Sequence, residues 1–234
     1  MSSWEDPRIR AGLPRQLARR RAELARGSAP IGWKVGFGAP SALEMMEIEA
    51  PLIGYLTDRT VMGDGVTIET AGWTKGLVEF EVAVWMGDRL GAGATPADAR
   101  RAVAAIGPAI EVADLDLTPA PDAVEEILAG DIFHRGVVFG ARDPARAGID
   151  LDGLVARIQM DGAPFAETDH LEAITGRYDE VVATVANTLG AFGEELEEGT
   201  VIITGSVIPP VPLDDGIEFT FSLGEYPPLS VRRA

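Results

Sequence analysis

A chain of 234 residues, 46% hydrophobic and 24% charged, has the composition of a globular protein with one large domain or two small ones. Its formal net charge of −17 argues against nucleic-acid binding, which needs a basic surface, and the absence of cysteine excludes disulfides and thiolate chemistry. The sequence has no apolar run long enough to span a membrane, and its N-terminus lacks the apolar core of a secretory signal, so a cytoplasmic location is expected.

The first predicted element is a helix over residues 14–26, which ends at Gly27. Its arginines, in RQLARRRAEL, indicate a solvated face or a face that packs on an acidic neighbour or subunit. A short strand in IGWKVGF and a short helix around SALEMMEI follow. The Asp64-Gly65 pair is then typical of a hairpin turn between two strands.

Residues 76–87, GLVEFEVAVWMG, are predicted to form a strand. Thr95 can then cap a helix that has Pro96 at its first position and that Gly107-Pro108 ends. AIEVADLDL resumes as a strand, so a strand–helix–strand unit with a crossover connection is expected. A helix in YDEVVATVANTLGAFG lies between the second and third of five further strands, which are predicted at 136–140, 153–161, 200–204, 217–222 and 229–233. The pattern indicates a β-rich α+β fold with a few helices.

The strand at 76–87 places two carboxylates on one face. Because side chains alternate along a strand, Glu79 and Glu81 point the same way from a segment that is apolar on both sides. Glu111 lies in a second apolar strand that can be adjacent to the first. Three buried carboxylates need a compensating cation, and Mg²⁺ or Mn²⁺ prefers such oxygen ligands. The alternative is that Glu79 and Glu81 face solvent on a sheet edge while Glu111 is ion-paired elsewhere.

Lysine is rare in this chain: of 20 basic residues only Lys34 and Lys75 are lysines. Lysine differs from arginine chiefly in its ability to lose a proton when it is desolvated. Lys34, bracketed by glycines and apolar residues in GWKVG, is therefore a candidate acid or base, or else a structural lysine with a solvated ammonium. Lys75, in a turn, is expected to be solvated.

Six segments come in an order that resembles the 2-keto-4-pentenoate hydratase branch of the fumarylacetoacetate hydrolase superfamily. They are IGWKVGF, APLIGYLTD, VEFEVAVWMGDRL, IGPAIEVADLD, GDIFHRGVVFG and LEEGTVIITGS. The resemblance implies a mixed β-sandwich or roll. It begins near residue 30, so residues 1–30 are expected to form an N-terminal helical arm and residues 31–234 the catalytic domain.

The resemblance also implies roles for individual residues. It makes Glu79, Glu81 and Glu111 the ligands of Mg²⁺ or Mn²⁺, and it assigns Lys34 and Asp131 to the catalytic site. A turn that holds the substrate carboxylate is formed by Thr204, Gly205 and Ser206. The implied activity is that of a lyase, a hydratase that adds water to a small 2-hydroxydienoate or 2-oxo-enoate in the catabolism of aromatic compounds.

Three alternatives to hydration stay open, because the same enolate-stabilising site serves several reactions. They are decarboxylation of a 2-oxo-3-enedioate, C–C hydrolysis of an acylpyruvate, and a role as a partner subunit without turnover. The resemblance further implies a homodimer or larger homo-oligomer. No nucleic acid or membrane is expected as a partner.

Departures from the family pattern mark further candidates. Leu52 replaces a common aspartate, and His134 follows Asp131 where the relatives have other residues, so His134 is a candidate catalytic acid or base or a hydrogen-bonded structural histidine. Arg177 is either a clamp for a second substrate carboxylate or a surface arginine at a helix start. Glu44 and Glu47 belong either to a lid helix, with one acting as a base, or to a surface helix.

Overall fold

Two β-sheets carry most of the chain in the computed structural model, which describes residues 3–234. The strands of this part of the chain are β1 (Pro30–Gly36), β2 (Leu52–Thr57), β3 (Val61–Met62), β4 (Val66–Ile68), β5 (Gly76–Met86), β6 (Val103–Asp114), β7 (His134–Phe139), β8 (Ala156–Met160), β9 (Ala163–Thr168), β10 (Val201–Ser206), β11 (Val211–Pro212), β12 (Glu218–Leu223) and β13 (Leu229–Arg233). The α-helices are α1 (Pro7–Ala25), α2 (Pro40–Met46), α3 (Pro96–Ala102), α4 (Val124–Ala129) and α5 (Tyr178–Ala191). The predicted mixed α+β fold is confirmed.

The larger sheet has the strand order β2-β1-β10-β5-β6-β7-β3, with β11 added beside β5. The smaller sheet has the order β4-β13-β12-β8-β9 and packs its β12 and β13 against β6. Phe80 of β5 and Phe221 of β12 meet between the sheets with ring centroids 5.6 Å apart. Both rings are fully buried, and such a pair contributes about 0.5–1.5 kcal/mol beyond the burial of its area.

The longest strands, β5 and β6, are antiparallel neighbours, with Glu79 directly opposite Glu111. The expected crossover is therefore wrong, although the helix between the strands is present. Thr95 caps α3 in a capping box, as its sequence predicts. The helix ends at Ala102 rather than at Gly107-Pro108, because the chain enters β6 at Val103 and carries both residues inside the strand.

Helix α1 begins seven residues before its predicted start. Asp6 accepts a hydrogen bond from the Arg8 backbone N–H at 2.8 Å, and Pro7 occupies the first helical position, so a complete N-terminal signal precedes Pro14. Ile9, Leu13 and Leu17 follow at four-residue spacing and are buried in the main core. This packing stabilises the first turns of the helix, although Pro14 lies inside it.

The arginines of α1 do face acidic neighbours within the same chain. Arg15 contacts Glu125 at 2.7 Å and Glu126 at 2.6 Å, and Arg21 contacts Glu194 at 2.9 Å. The sequence-based expectation of an acidic neighbour is confirmed. Because most of these side chains are largely exposed, each pair contributes at most about 1 kcal/mol.

Two smaller predictions are corrected by the sheet topology. Asp64-Gly65 forms a turn, but β3 joins the larger sheet and β4 the smaller one, so this turn links two sheets rather than a hairpin. Strand β9 is absent from the predicted elements, because its side chains are mostly exposed and show no apolar alternation. Within residues 3–234 we find no helix that is long and apolar enough to cross a membrane.

Candidate active site

Three glutamates lie together on the inner face of the larger sheet. Glu79 and Glu111 are cross-strand partners, so their Cα atoms are about 5 Å apart. Glu81 lies two residues farther along the same face of β5. Glu81 and Glu111 are 0% and 1% exposed, whereas Glu79 is partly open to a cavity. The alternative that these carboxylates face solvent at a sheet edge is therefore wrong.

Lys34 reaches Glu111 from a distant strand of the same sheet. Its Nζ donates to Glu111 Oε1, and also to the Ile132 carbonyl oxygen at 3.1 Å. β10 and β5 separate β1 from β6, a span of about 14 Å in a flat sheet with strands 4.8 Å apart. The contact therefore depends on the curl of the sheet, which turns its inner face into a concave floor. Lys34 is 2% exposed, so its ammonium is not solvated.

The backbone around Lys34 is fitted closely to its side chain. A Cβ on Gly54 of β2 would lie 2.8 Å from Lys34 Cγ, so only glycine fits opposite the lysine stem. Asp131 Oδ1 accepts the Tyr55 backbone N–H at 2.8 Å. Asp131, Ile132 and Phe133 all have positive φ angles, of 66°, 51° and 64°. Three consecutive non-glycine residues in this region represent stored strain of the kind that clusters at functional sites.

His134 is held by hydrogen bonds on both ring nitrogens. Its Nδ1 lies 2.7 Å from Glu111 Oε1 and its Nε2 lies 2.9 Å from Thr60 Oγ1. The ring is buried behind Glu111 and does not line the cavity above the glutamates. Its contacts are those of a residue that orients Glu111.

The end of β10 closes the other side of the site. The Gly205 N–H donates to Glu81 Oε2 at 2.5 Å, while Glu81 Oε1 is buried and has no hydrogen-bond partner among residues 3–234. Gly205 has φ +92°, and a Cβ there would lie 2.5 Å from Thr175 Cγ2, so this turn requires glycine. Thr204 Oγ1 donates to the Val82 carbonyl at 2.8 Å, and Ser206 Oγ accepts the Phe80 N–H at 3.2 Å. Thr204 therefore anchors the turn, whereas Gly205 and Ser206 face the cavity.

A cavity of about 240 Å³ lies above these residues. Of the residues singled out from the sequence, Lys34, Glu79, Gly205 and Ser206 line it. Glu81, Glu111, Asp131, His134 and Thr204 lie beneath or behind that lining. Most of the remaining wall is apolar and comes from α2 and from loops: Phe37, Ala39, Ala42, Met45, Leu115, Pro119, Phe133, Ile174 and Pro210.

The electrostatics of the site leave a shortage of positive charge. Burial, with the nearby charge of Glu111, raises the pKa of Glu79 to about 7 and raises that of Glu81 well above its usual value. Burial also raises the pKa of Asp131 to about 8. Burial alone would raise the pKa of Glu111, but the charge of Lys34 and the hydrogen bond with His134 bring it below its ordinary value.

Lys34 and His134 provide little further positive charge. Burial would lower the pKa of Lys34, but the charges of Glu111 and Glu79 raise it, so the ammonium stays protonated. Burial lowers the pKa of His134 and favours its neutral ring. One ammonium therefore faces four acidic side chains, and an additional cation would allow all four to ionise.

The residues of the site fit a divalent metal ion in their chemistry. Glu79, Glu81 and Glu111 share one face, offer hard oxygen donors, and include the unpartnered Oε1 of Glu81. Among residues 3–234 no three His, Asp or Glu side chains are already drawn together as a ligand cluster. In this structure Glu111 accepts a hydrogen bond from Lys34, and Glu81 accepts one from the Gly205 N–H.

Other residues singled out from the sequence lie away from this site. Arg177 is a surface arginine at the start of α5, and its guanidinium binds Asp179 at 2.6 Å, so the clamp interpretation is wrong. Glu44, on α2, and Glu47, directly after it, are both exposed and do not line the cavity, which supports the surface-helix alternative. Leu52 is buried in the main core rather than in the cavity wall.

Sequence reasoning missed the residues that shape the cavity wall. Thr175 and Ile174 lie in a loop before α5, and Phe37 has the unusual φ of +60° directly after β1. The rings of Phe37 and Phe133 pack edge to face, with their centroids 6.2 Å apart. Two segments distant in sequence therefore meet at the cavity. None of these residues carries a local sequence signal, because their proximity depends on the fold.

Comparisons with known proteins find one matching family and several similar relatives. The family model for fumarylacetoacetate (FAA) hydrolase, C-terminal, matches residues 34–231. A 2-hydroxyhexa-2,4-dienoate hydratase of Comamonas testosteroni is 31% identical over 202 residues, 85% of this chain and 76% of the relative. A 4-oxalocrotonate decarboxylase of a Pseudomonas species is 29% identical over 207 residues, 88% of this chain and 79% of the relative.

A solved structure is similar over nearly the whole chain. It is the 4-oxalocrotonate decarboxylase from Pseudomonas putida G7, complexed with magnesium and adipate. The TM-score is 0.82 at 24% identity, and the match covers 94% of this chain and 83% of that one. At this level of identity the likeness establishes a shared fold.

Proposed function

This chain belongs to the fumarylacetoacetate hydrolase C-terminal family, and from that premise we propose that it is a metal-dependent hydratase acting on a small 2-hydroxydienoate or 2-oxo-enoate, as in the catabolism of aromatic compounds. The observation that carries the proposal is the convergence of Glu79, Glu81, Glu111 and Lys34 on one concave floor under a small cavity. A site of buried carboxylates and one ammonium is suited to a divalent cation and an anionic substrate.

Glu79, Glu81 and Glu111 are the proposed ligands of Mg²⁺ or Mn²⁺. When bound, the ion supplies a Lewis acid that favours enolate formation from a 2-oxo acid. The unpartnered Glu81 Oε1 and the charge shortage of the site support this assignment. The Gly205 N–H orients the other oxygen of Glu81.

Lys34 is the proposed catalytic residue, because it lines the cavity and holds a proton on Nζ. In this position the ammonium can donate a proton to the substrate as it is ketonised, and the neutral amine that results can take a proton back in a later step. Gly205 and Ser206 form the adjacent wall, where a substrate carboxylate is proposed to lie.

Asp131 and His134, also candidates for the catalytic site, are proposed to act through their neighbours. Asp131 fixes the Tyr55 backbone and starts the left-handed segment whose Ile132 carbonyl binds Lys34. His134 orients Glu111. Since neither lines the cavity, we assign both as positioning residues.

The proposal is tested by following the ultraviolet absorbance of 2-hydroxypenta-2,4-dienoate, 2-hydroxyhexa-2,4-dienoate, a 2-oxo-3-enedioate and an acylpyruvate with the purified protein. The reactions are run with Mg²⁺, with Mn²⁺ and with EDTA, and products are identified by mass. Metal-dependent loss of a dienoate, with a product heavier by one water, is expected for a hydratase.

Other results would redirect the proposal. Release of CO₂ from a 2-oxo-3-enedioate, without hydration of any dienoate, would indicate a decarboxylase, the activity that names the Pseudomonas relative. Cleavage of the acylpyruvate alone would indicate C–C hydrolysis. Binding of Mn²⁺ without turnover of any compound would replace the enzyme proposal with that of a partner subunit.

A further inference from the structure

We propose that the cavity selects substrates whose far end is uncharged, and that this end lies along a wall formed by Phe37, Ala42 and Met45. This inference rests on the proposed function, because it assumes that a 2-oxo or 2-hydroxy acid group occupies the polar floor. Among the relatives, one name specifies a hexadienoate with a hydrocarbon tail and another specifies oxalocrotonate, a dicarboxylate. The choice between these classes is made at the end of the cavity that faces away from the sheet.

The charged groups of the cavity lie at one end, and Thr175, whose hydroxyl has no hydrogen-bond partner among residues 3–234, lies beside Gly205 at the same end. Lys34 comes from β1, Glu79 from β5, and Gly205 and Ser206 from the end of β10. These three strands are neighbours in the sheet, in the order β1-β10-β5. The acid group of a substrate therefore has its hydrogen-bonding partners on the sheet floor, and its tail must extend toward the loops and α2.

The opposite wall offers mainly hydrocarbon side chains to that tail. Phe37 follows β1 directly, and Ala42 and Met45 lie four and seven residues beyond Gly38 on the chain segment that forms α2. Leu115 and Ile174 complete this side from two other loops. Met45 is 47% exposed, which places it at the solvent edge of the cavity.

The distribution of charge in the cavity does not favour a second carboxylate at this wall. Among residues 3–234, Lys34 is the single basic side chain in the cavity lining, and its Nζ already donates a hydrogen bond to Glu111. Arg177, the other cation considered for this role, is paired with Asp179 on the surface. Burial of an ionised carboxylate without a partner is strongly disfavoured, whereas a methyl group gains from the same environment.

The size of the cavity sets a second limit. At about 240 Å³ it is smaller than the roughly 300–1,000 Å³ that is usual for drug-sized ligands. A short chain beyond the 2-oxo acid group is therefore expected to fit. A long or branched chain is expected to displace Met45 toward solvent.

The test uses two inert ligands matched in length, 2-oxohexanoate and 2-oxoadipate, which differ only in a terminal methyl or carboxylate. Their dissociation constants for the wild-type protein loaded with Mn²⁺ are measured by calorimetry. We expect 2-oxohexanoate to bind at least about 30-fold more tightly, in keeping with the 10–200-fold usual for discrimination in apolar pockets. Equal affinities, or tighter binding of 2-oxoadipate, would overturn the inference and leave the hydratase proposal intact.

A variant at Met45 tests where the far end of the ligand lies. Met45→Arg adds a cation at an exposed position of α2, so it does not threaten the core, and it is expected to improve 2-oxoadipate binding by at least about 10-fold. Met45→Leu is the volume-matched control and should retain the wild-type preference. If Met45→Arg leaves both affinities unchanged, the tail does not lie along α2 and the inference is wrong. If neither ligand binds the Mn²⁺-loaded protein, the 2-oxo acid site itself is wrong and the inference falls with it.

Discussion

The inner face of β5 and β6 has two ends that share strands and register yet have opposite character. At one end Glu79, Glu81 and Glu111 lie under the cavity of about 240 Å³. At the other end Ala83 and Trp85 belong to a small apolar cluster. That cluster opens at a larger cavity of about 540 Å³, whose wall includes Ile31, Trp85 and Phe139.

The difference shows that cavity size does not identify the active site. The larger cavity has charged groups on its rim, including Glu195 and Glu197, but both are substantially exposed and pair with a surface arginine. The smaller cavity has buried acids whose pKa values are raised by their surroundings. Burial of like charges costs free energy. A cluster of buried acids at one end of the face therefore indicates that this end has a function.

The largest expected effect comes from Glu81→Ala, which removes the glutamate that has an unpartnered oxygen. We expect Mn²⁺ affinity to fall by on the order of 100-fold or more, and hydratase activity to be lost, with the fold retained. Calorimetry and electron paramagnetic resonance of Mn²⁺ measure the binding, and circular dichroism monitors the fold. Trp85→Phe, at the apolar end of the same strand face, is the control and should bind Mn²⁺ like the wild type.

Unchanged Mn²⁺ affinity in Glu81→Ala would remove Glu81 from the ligand set. Loss of affinity in Trp85→Phe would show that the two ends of the face are not independent.

The next largest effect is expected from Lys34→Met, which leaves Glu111 buried without its cation. Breaking a buried pair in this way costs about 3–5 kcal/mol in the free energy of unfolding. Urea unfolding in EDTA measures this loss, and added Mg²⁺ should restore part of it. The chain offers a matched control in its only other lysine, since Lys75→Met alters an exposed side chain.

A stability of Lys34→Met equal to that of Lys75→Met would mean that Glu111 does not depend on Lys34. Retained hydratase activity would exclude Lys34 as the proton carrier.

His134→Gln tests how strongly metal binding depends on the hydrogen bond between His134 and Glu111. The variant loses the 2.7 Å contact to Glu111 Oε1, and we expect a 10–100-fold weaker affinity for Mn²⁺. The other histidine of the chain, His170, is exposed, so His170→Gln is the control. A Mn²⁺ affinity unaffected by His134→Gln, combined with lost turnover, would instead favour direct acid–base catalysis by His134.

The last prediction concerns Asp131, and it depends on pH. Because the folded-state pKa of Asp131 is raised from 3.8 to about 8, its contribution to stability is fully present at low pH and is lost as the pH rises through about 8. Asp131→Asn retains an acceptor for the Tyr55 N–H but does not ionise. Relative to the wild type in EDTA, it should gain stability progressively as the pH rises from about 4 to about 8.

Urea unfolding of both proteins at several pH values measures this difference. A difference that stays constant across the range would show that Asp131 is ionised in the folded protein at every pH tested.

Much of the site was predictable because strand alternation is a local property. The pair Glu79 and Glu81 had to share a face, and the ordered motifs connect this pair with Glu111, Lys34 and the Gly205 turn. Glycine and proline signals likewise located most of the strands and α3. The predicted boundary of α1 was wrong because two prolines offered a helix start. The helix begins at Pro7, and Pro14 lies inside it.

What the sequence alone determined was therefore the set of chemical groups and the strand face on which each carboxylate lies. Tertiary structure decided which groups meet: curl of the sheet brings Lys34 across two strands to Glu111, and packing turns His134 away from the cavity. It also placed Arg177 on the surface and brought Phe37, Phe133 and Thr175 together around the cavity. Local patterns report periodicity within a segment, whereas these contacts join residues whose separation along the chain carries no information about their distance in the fold.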